Sequence, residues 1–475
     1  MIFAGWINVE RAAKVQLPEQ IYRQIREGVR AGRLAPGTTL PSSRALAEAL
    51  GVSRNTVTAA YELLRGEAII SVGVGSAPVL LAQSVPAREP TAADASDAVR
   101  LSRRGSQLAN DRYDAAYHLR DGTFRPGRPD VALFPRDLWA RSLRRATRAV
   151  AREALLYDHA EGLPALRTVL SIYLAEARGV QVAPEHLLIF PTVQSALAML
   201  AQCLLDQGDS VWIEDPGYLG ARAAFVGARL APLPVDGEGA DPNVMTGVPK
   251  LIYVTPSHQY PTGVRMSLPR RLALLERARA TGGLVLEDDY DSEFLWQGRP
   301  IPALHALGEA GEVLYLGTVA KSLLPGLRLA YLAAPPGLAF DLAQAQRNLG
   351  LLANVHAQAA LADFIDAGHY RTHLGRISSV YQTRAKALVA AIAARCGDDV
   401  RIELPSGGLQ LLARLRPDVD DAAVARRLAT DGYGVAFLSG LCIGPGQSGL
   451  VIGFANAGPE DADAFAQALA RALVL

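Results

Sequence analysis

Apolar positions recur at a helical spacing in the first part of the chain. They predict a helix over residues 18–32 and two shorter helices over 42–50 and 53–66. Two β-prone runs then flank VGVGS, whose composition is typical of a small hairpin. Residues 1–80 are therefore predicted to form an α-rich unit that ends in a hairpin.

The pattern changes twice after this unit. Residues 81–114 are rich in Ala, Pro, Asp, Ser and Arg without an apolar period, which is typical of a linker. Residues 115–475 alternate continuous apolar runs with helical patterns, which indicates an α/β domain with a mostly parallel sheet buried on both faces. From about residue 370, helices mixed with short strands predict a smaller α+β lobe. The predicted strands are LLIFP, SVWIED, KLIYVTP, GLVLEDD, VLYLGT and LRLAYLAA, and the predicted helices between them include 195–205, 269–280 and 337–349.

Composition and charge narrow the class of protein. The chain has 475 residues and a net charge of +1, so any attraction to nucleic acid must be local. Three cysteines and eight histidines show no metal-ligand spacing, which predicts reduced thiols in the cytoplasm and no metal site. The apolar runs are too short to cross a bilayer and the N-terminus has no basic signal region, so no membrane partner is expected.

The segment LPSSRALAEALGVSRNTVTAAYELL has the form of a helix-turn-helix. Ser42 or Ser43 can cap its first helix and Ser53 its second. Residues 1–80 carry nine Arg and Lys against six Asp and Glu, a net charge of +3. A plain helical hairpin with solvated arginines is the alternative, although the glycine-rich hairpin that follows favours a DNA-binding wing. The expected core residues are Ala45, Leu46, Leu50, Val57 and Leu63, and the expected outward residues are Arg44, Arg54, Asn55, Thr56 and Thr58.

Lys321 is one of four lysines in a chain with 44 arginines, and it lies among small and apolar residues. Such surroundings lower the pKa of an amine and suit Schiff-base chemistry, whereas a purely structural lysine is the alternative. The acids of EDDYD end a predicted buried strand, where open α/β sheets bind ligands. An aspartate there can keep a pyridine nitrogen protonated, and a solvated acidic loop is the alternative.

Two further features near this lysine suit a phosphate group. Thr318 offers a hydroxyl, and Arg328 offers the several N–H donors of a guanidinium. A predicted helix begins at the turn formed by Val193 and Gln194, and the free N–H groups at its start favour an anion. A phosphate, a pyridinium nitrogen and an aldehyde that reacts with Lys321 together specify pyridoxal 5′-phosphate (PLP).

The segment GRLAPGTTLPSSRALAEALGVSRNTVTAAYELL resembles the winged helix of GntR-type regulators. The resemblance implies promoter DNA as a partner, with the wing tip near Gly75. Thr58 stands where better-known members often carry a second recognition-helix arginine, which implies a different base at that operator position. The residues expected at the DNA are Ser43, Arg44, Arg54, Asn55, Thr56, Thr58 and Gly75.

Residues 115–475 resemble the PLP-dependent fold-type I enzymes, which are aspartate aminotransferase-like. The whole chain resembles the MocR/GabR-type transcriptional regulators. The motifs that carry the resemblance are FRPGRPDVALFP, EGLPALR, EDPGYLGAR, TPSHQYPTG, EDDYDSEF and GTVAKSLLPGLRLAY.

This resemblance implies cofactor roles for nine residues. Lys321 forms the Schiff base with PLP, Asp288 contacts the pyridine nitrogen and Tyr290 contacts the ring hydroxyl. The residues implied at the phosphate and on the ring face are Arg328, Thr318, Val193, Gln194 and Tyr218. Tyr157 matches a tyrosine that reaches the phosphate of the neighbouring subunit, which implies a homodimer.

The chain departs from the aminotransferase pattern at three places. The turn before the phosphate-binding helix has Thr192 in place of a glycine, and Tyr260 replaces an asparagine beside the ring oxygen. Val451 occupies the place of the arginine that binds the substrate carboxylate, and this loss argues against efficient turnover of ordinary amino acids. Arg222 or Arg125 is expected to compensate, and the sequence does not choose between them.

The sequence therefore predicts a PLP-dependent transcriptional regulator in the cytoplasm. Its aminotransferase-like domain is expected to sense an amine, an amino acid or PLP itself, without physiological turnover and with at most residual transamination. The alternative is a catalytically active aminotransferase with an accessory DNA-binding domain.

Overall fold

The structure is a computed structural model that describes residues 6–11, 15–73, 76–81, 100–119, 121–150, 155–156, 159–298, 301–309 and 311–474. The chain divides into two compact units, Met1–Arg100 and Leu101–Leu475. The predicted linker lies partly outside the described residues, and its final part contains a short helix, Arg103–Ala109. No helix within the described ranges is long and apolar enough to cross a bilayer.

The first unit contains the three predicted helices and the predicted hairpin. Ser42 caps the second helix by accepting the N–H of Ala45 at 3.2 Å, so it is the cap rather than Ser43. Ser53 caps the third helix in the same way, through the N–H of Thr56 at 3.1 Å. The elements are α1 (Leu17–Arg30), α2 (Ser43–Leu50), α3 (Arg54–Gly66), β1 (Ile70–Ser71) and β2 (Val79–Leu80), with β1 antiparallel to β2.

The core of this unit differs from the prediction at two positions. Leu46 and Val57 are buried as expected and Leu50 packs against the core, but Ala45 is exposed and Leu63 is 47% exposed. Helical geometry explains the second error, because the buried stripe of α3 follows the i, i+3, i+4, i+7 spacing and position 63 lies off that stripe. The residues of this stripe are Val57, Ala60, Tyr61 and Leu64.

The second unit contains a large mixed sheet, in which all six predicted strands are present. Five neighbouring strands are parallel, and β10 is antiparallel to both β9 and β3, so β3 runs in the same direction as the parallel strands. The strand order among the described residues is β3-β10-β9-β8-β7-β4-β5-β6. The strands are β3 (Leu187–Phe190), β4 (Ser210–Asp215), β5 (Arg229–Asp236), β6 (Gly239–Ala240), β7 (Leu251–Val254), β8 (Leu284–Asp289), β9 (Val313–Thr318) and β10 (Ala330–Ala333).

Helices cover this sheet and bury the central strands almost completely, which explains their continuous apolar sequences. The predicted helices at 195–205, 269–280 and 337–349 are confirmed within two residues. The described helices up to the end of this sheet are α4 (Arg103–Ala109), α5 (Arg136–Ala149), α6 (Pro164–Arg178), α7 (Val193–Leu204), α8 (Leu219–Ala224), α9 (Leu268–Thr281), α10 (Leu304–Leu307), α11 (Pro336–Asn348) and α12 (Val355–Asp366).

The predicted smaller lobe is confirmed as an antiparallel sheet with helices packed on it. Within the described residues its strand order is β11-β12-β14-β13, and its apolar core includes both Phe437 and Phe465. Its elements are α13 (His369–Cys396), β11 (Val400–Ile402), β12 (Gln410–Leu415), α14 (Asp421–Thr430), β13 (Ala436–Phe437), β14 (Gly449–Gly453) and α15 (Asp461–Val474).

Candidate functional site

A cavity of about 600 Å³ lies in the second unit at the carboxyl ends of β7, β8 and β9 and at the start of α7. This is the edge at which open α/β sheets bind ligands, because loops from several strands converge there. Eight of the nine predicted cofactor residues line the cavity, and the ninth, Tyr157, lies outside the described residues. The eight are Lys321, Asp288, Tyr290, Arg328, Thr318, Tyr218, Val193 and Gln194.

Asp288 is 4% exposed and accepts the hydroxyl hydrogen of Tyr253 on Oδ2, at 2.6 Å. Its other oxygen, Oδ1, is buried and has no hydrogen-bond partner among the described residues. Burial raises the pKa of Asp288 to about 7, although the bond from Tyr253 opposes the change. The carboxyl group is thus arranged to accept one more hydrogen bond, preferably from a cationic donor.

Lys321 follows β9 and lines the cavity, as do residues 125–128 of the FRPGRPD segment. Its Nζ donates to the carbonyl oxygen of Gly127 at 2.7 Å. Burial lowers the pKa of Lys321, and the nearby carboxylates of Asp291 and Asp288 partly offset this effect. The lysine is therefore half-buried and borders the open space of the cavity, and its role as a reactive amine stays a prediction.

Gly127 contacts Lys321 closely and has a backbone conformation that favours glycine. Its φ is +69°, and a Cβ at this position would lie 3.1 Å from Nζ. The glycine thus permits both the backbone turn and the contact with the amine.

The acids beside Asp288 are buried and paired, which excludes the alternative of a solvated acidic loop. Glu287, Asp289 and Asp291 are each at most 3% exposed. Glu287 accepts the N–H groups of Leu304 and His305 at 2.9 and 2.8 Å. Asp289 pairs with the guanidinium of Arg178 at 2.8 Å, and Asp291 lies 3.0 Å from His258 Nδ1. The surrounding network therefore fixes the end of β8.

The start of α7 offers an anion site next to Lys321. Thr192 and Ser195 form a reciprocal capping box, with the Ser195 N–H bound to Thr192 Oγ1 at 2.9 Å. Val193 and Gln194 occupy the first helical positions on the cavity wall, where backbone N–H groups lack partners within the helix. The missing glycine in this turn therefore still leaves a regular, capped helix start.

The loop after β9 supplies the remaining phosphate candidates. Arg328 has a φ of +54°, an unfavourable conformation for a residue with a side chain, and it is exposed on the cavity wall. Thr318 Oγ1 donates to the carbonyl of Leu329 at 3.1 Å and accepts the N–H of Ala320 at 3.1 Å. The Thr318 hydroxyl thus organises the loop that carries Lys321.

Tyrosine rings form one wall of the cavity. Tyr260 lies edge-to-face with Tyr218 at 5.9 Å and with Tyr290 at 6.3 Å between ring centroids. Its hydroxyl is 3.0 Å from that of Tyr117. The tyrosine that replaces the expected asparagine is therefore packed into this aromatic wall.

The lining residues that the sequence prediction missed include Tyr117, Tyr253, Gly127 and Gln410. Gln410, at the start of β12, donates to the Tyr290 hydroxyl at 3.1 Å. The only local signal for Tyr253 was a hydroxyl group within the apolar run LIYV. Arg125 also lines the cavity, whereas Arg222 donates to the carbonyls of Leu441 and Cys442 instead.

The residues that the sequence predicts at the DNA belong to the first unit. Arg44, Arg54, Asn55 and Thr58 are exposed as predicted, whereas Ser43 and Thr56 are half-buried. Arg54 Nε lies 3.4 Å from Ser43 Oγ, and Thr58 Oγ1 donates to the carbonyl of Arg54 at 2.9 Å. Gly75 lies outside the described residues, so the predicted wing tip stays a prediction.

Comparisons with known proteins match both units. The family model "Bacterial regulatory proteins, gntR family" matches residues 17–78, and "Aminotransferase class I and II" matches residues 134–469. The probable rhizopine catabolism regulatory protein MocR of Rhizobium meliloti is 38% identical over 461 residues, covering 95% of this chain and 92% of that protein. The HTH-type pyridoxine biosynthesis transcriptional regulator PdxR of Corynebacterium glutamicum is 31% identical, covering 96% and 95%.

A solved structure also resembles the second unit. LysN, an α-aminoadipate aminotransferase from Thermus thermophilus complexed with N-(5′-phosphopyridoxyl)-L-leucine, has a TM-score of 0.71 and 28% identity, covering 79% of this chain and 97% of that chain. The near full-length match to MocR includes both units in the same order. The chain therefore belongs to the MocR-type transcriptional regulators, in which a GntR helix-turn-helix DNA-binding domain is joined to an aminotransferase class I and II domain.

Proposed function

We propose that this regulator binds PLP in the cavity of its second unit and changes its binding to promoter DNA when a small molecule occupies that cavity. The observation that carries the proposal is the placement of a buried carboxyl group and a half-buried amine in one cavity. Asp288 Oδ1 lacks a partner among the described residues, and the Lys321 amine has a lowered pKa. These groups match the pyridine nitrogen and the aldehyde of PLP.

The remaining lining residues fit the rest of the cofactor. Arg328 and the start of α7 would hold the phosphate, and the Tyr290 hydroxyl, oriented by Gln410, would contact the ring hydroxyl. Tyr218 would pack on the ring face. When bound, PLP supplies an aldehyde that reacts with primary amines and a ring that accepts electrons.

The signal is an amine, an amino acid or PLP itself. A ligand controls DNA binding only if its affinity differs between the two arrangements of the protein. We further propose that the regulator acts in the cytoplasm as a homodimer. The dimer is favoured because paired helix-turn-helix units bind paired half-sites. Light scattering of the purified protein would test the dimer.

A working aminotransferase is the second candidate. Lys321, Asp288 and Tyr290 are all present and line one cavity, so the residues needed to move a proton near the amine are retained. A 2-aminoadipate transaminase of Thermus thermophilus is 32% identical over 74% of this chain. Many turnovers with release of keto acid would favour this candidate.

One set of samples tests both candidates. The full-length protein, Lys321→Ala and Lys386→Ala would be titrated with PLP while cofactor absorbance and promoter affinity are recorded. Lys386 is exposed on α13 and controls for removal of a lysine. We expect the Schiff-base absorbance in the wild type and in Lys386→Ala but not in Lys321→Ala. Its absence from the wild type would reject the proposed cofactor, and ligand-independent promoter affinity would reject the sensor role.

A further inference from the structure

The residue after Lys321 is bound through two hydrogen bonds to a single helix. Ser322 is 1% exposed and does not line the cavity, whereas Lys321 does. Its Oγ lies 2.7 Å from the hydroxyl of Tyr370, and its carbonyl oxygen lies 2.9 Å from His373 Nε2. Both partners belong to α13, so one helix holds the side chain and the backbone of the residue beside the lysine.

The backbone that carries Lys321 belongs to neither a helix nor a strand. Lys321 lies in a turn that is closed by the N–H of Leu323 on the carbonyl of Val319 at 2.8 Å. A single turn is marginally stable by itself, because fixing several backbone angles yields only one hydrogen bond. The Thr318 hydroxyl holds the start of this turn, and the two bonds of Ser322 hold the part that follows the lysine.

Contacts of its ring and of its hydroxyl fix Tyr370. The residue is 1% exposed, and its ring lies edge-to-face with that of Tyr173 at 5.4 Å between centroids. Its hydroxyl donates to Glu293 Oε1 at 3.3 Å. Because a phenol carries one hydrogen, the Ser322 hydroxyl is then the donor in the 2.7 Å contact. The Tyr370 oxygen is therefore a fixed acceptor for the Ser322 side chain.

His373 holds the backbone of the same serine. It is 5% exposed, and burial lowers its pKa, which favours the neutral ring. A carbonyl oxygen only accepts, so the neutral ring carries its hydrogen on Nε2 and donates it to Ser322. Loss of this donor would remove a hydrogen bond from the carbonyl of a buried residue, which is costly.

The start of α13 is a rigid support for these two bonds. Tyr370 and His373 are three positions apart, which places them on one face of the helix. Tyr370 belongs to the apolar core that includes residues of β3, β9 and β10, and Ile377 belongs to the core of the smaller lobe. Leu374, between them, packs against both cores. The first turns of the helix are therefore fixed from two sides.

We infer that Tyr370 and His373 are positioning residues for Lys321. By holding Ser322 they keep the lysine amine directed into the cavity, where the aldehyde of PLP would react. The inference rests on the proposed function, because it assumes that PLP reacts with Lys321. It assigns a role at the cofactor to two residues that do not line the cavity.

The alternative is that both residues serve only the stability of the core. Pyridoxamine 5′-phosphate (PMP) separates the two roles. It has the ring and the phosphate of PLP but an amine in place of the aldehyde, so it fills the cavity without reacting with Lys321. The ratio of PLP affinity to PMP affinity therefore measures the contribution of the lysine, whereas a general loss of stability lowers both affinities together.

The test measures this ratio in the full-length apo-protein by equilibrium dialysis with PLP and with PMP, and records the Schiff-base absorbance with PLP. Lys321→Ala gives the ratio expected without a Schiff base. Tyr381→Phe is the matched control, because Tyr381 is also 1% exposed on α13 and its hydroxyl accepts the N–H of Asp130 at 3.1 Å. The test variants are Tyr370→Phe, Ser322→Ala, His373→Leu and His373→Gln.

We expect Tyr370→Phe and Ser322→Ala to lower the ratio of PLP to PMP affinity about threefold to tenfold, the effect of one buried hydrogen bond. His373→Leu should lower it about tenfold or more, because the carbonyl of Ser322 then loses its donor. His373→Gln should restore part of the ratio, since the glutamine amide retains an N–H donor. PMP affinity should be nearly unchanged in all of them, and Tyr381→Phe should keep the wild-type ratio.

Two results would overturn the inference. They are an unchanged ratio in both Tyr370→Phe and His373→Leu, and an equal fall of the ratio in Tyr381→Phe. Ser322→Ala, which removes a single oxygen atom, decides the case if the larger changes prevent folding. A wild type without Schiff-base absorbance, or with the same ratio as Lys321→Ala, would instead reject the proposed function and the inference with it. The wild-type spectrum, recorded first, separates these two failures.

Discussion

Tyr253 donates its hydroxyl hydrogen to Asp288 Oδ2 over a distance of 2.6 Å. The two residues lie on neighbouring parallel strands, β7 and β8, and both line the cavity. The bond occupies one carboxyl oxygen and leaves Oδ1 for a ligand, and it lowers the pKa of Asp288 against the larger effect of burial. A tyrosine on the adjacent strand therefore orients this carboxyl and partly offsets the effect of burial on its pKa.

Removing this hydroxyl should weaken PLP binding. We expect Tyr253→Phe to bind PLP at least about tenfold less tightly, since a hydrogen bond to a charged group contributes about 1.5–3 kcal/mol. Titration of the apo-protein with PLP, followed by absorbance, measures this change. Tyr315→Phe is the matched control, because Tyr315 donates to Asp289 Oδ2 at 2.7 Å in the same sheet without lining the cavity. An equal loss in both variants would assign the effect to general destabilisation.

Asp288 should also make the stability of the apo-protein depend on pH. Its pKa is about 7 in the folded state against an ordinary value of 3.8, a difference that corresponds to ~4 kcal/mol. The folded protein retains a proton that the unfolded chain releases, so the free energy of unfolding should fall as the pH rises from about 4 to about 7. We expect Asp288→Asn to reduce this slope, to be more stable than the wild type at pH 8, and to bind PLP less tightly.

Urea unfolding of both proteins without PLP, at pH 5, 7 and 8, measures this slope. Three glutamates also have raised pKa values and add the same trend to both proteins. They are the buried Glu214 and Glu287, both near 7, and the half-buried Glu293, near 8. The informative quantity is therefore the difference between the two slopes. Parallel curves would contradict the assignment of a raised pKa to Asp288.

Local sequence pattern was sufficient for the strands of the large sheet and for the residues at their ends. The run GLVLEDD predicts a buried strand because its apolar part is continuous, and its acids mark the ligand-binding edge. Ser42 and Ser53 likewise act through backbone groups only three residues away. These features depend on chemistry within a few residues, which a single sequence displays directly.

Contacts between distant parts of the chain were not predicted. Gly127 meets Lys321 across 194 positions, and Gln410 meets Tyr290 across 120. No periodicity records such a pairing, because it depends on how the smaller lobe and the FRPGRPD segment pack against the large sheet. The hydrogen bond from the Thr318 hydroxyl to the backbone of its own loop was not predicted either, because it depends on the conformation of that loop.

The close approach of Gly127 to Lys321 predicts a specific effect of an added methyl group. Gly127→Ala should lose about 1–2 kcal/mol through the left-handed backbone, and its Cβ would crowd an amine that lies 3.1 Å away. We expect PLP loading to fall at least about tenfold, the effect of roughly 1.4 kcal/mol. Gly282→Ala is the matched control, since Gly282 has the same φ of +69° and no neighbouring atom within 4 Å of its Cβ position. Both variants should lose stability, and only Gly127→Ala should lose PLP binding. Similar PLP loading of the two variants would contradict a direct effect on Lys321.

Arg54 provides the corresponding test for the DNA-binding unit. It is exposed at the first position of α3, beside Ser43 on the preceding helix. If Arg54 donates two hydrogen bonds to a guanine, Arg54→Ala should lose about 1–3 kcal/mol of binding free energy on the promoter and much less on a scrambled fragment. Arg65→Ala is the control, because Arg65 is exposed near the far end of α3 and pairs with Glu62. Fluorescence anisotropy at fixed salt measures both. An equal loss of affinity for the two fragments, with the dependence of log affinity on log salt concentration reduced by about one, would make Arg54 a phosphate contact. Unchanged promoter affinity would show that Arg54 lies outside the interface.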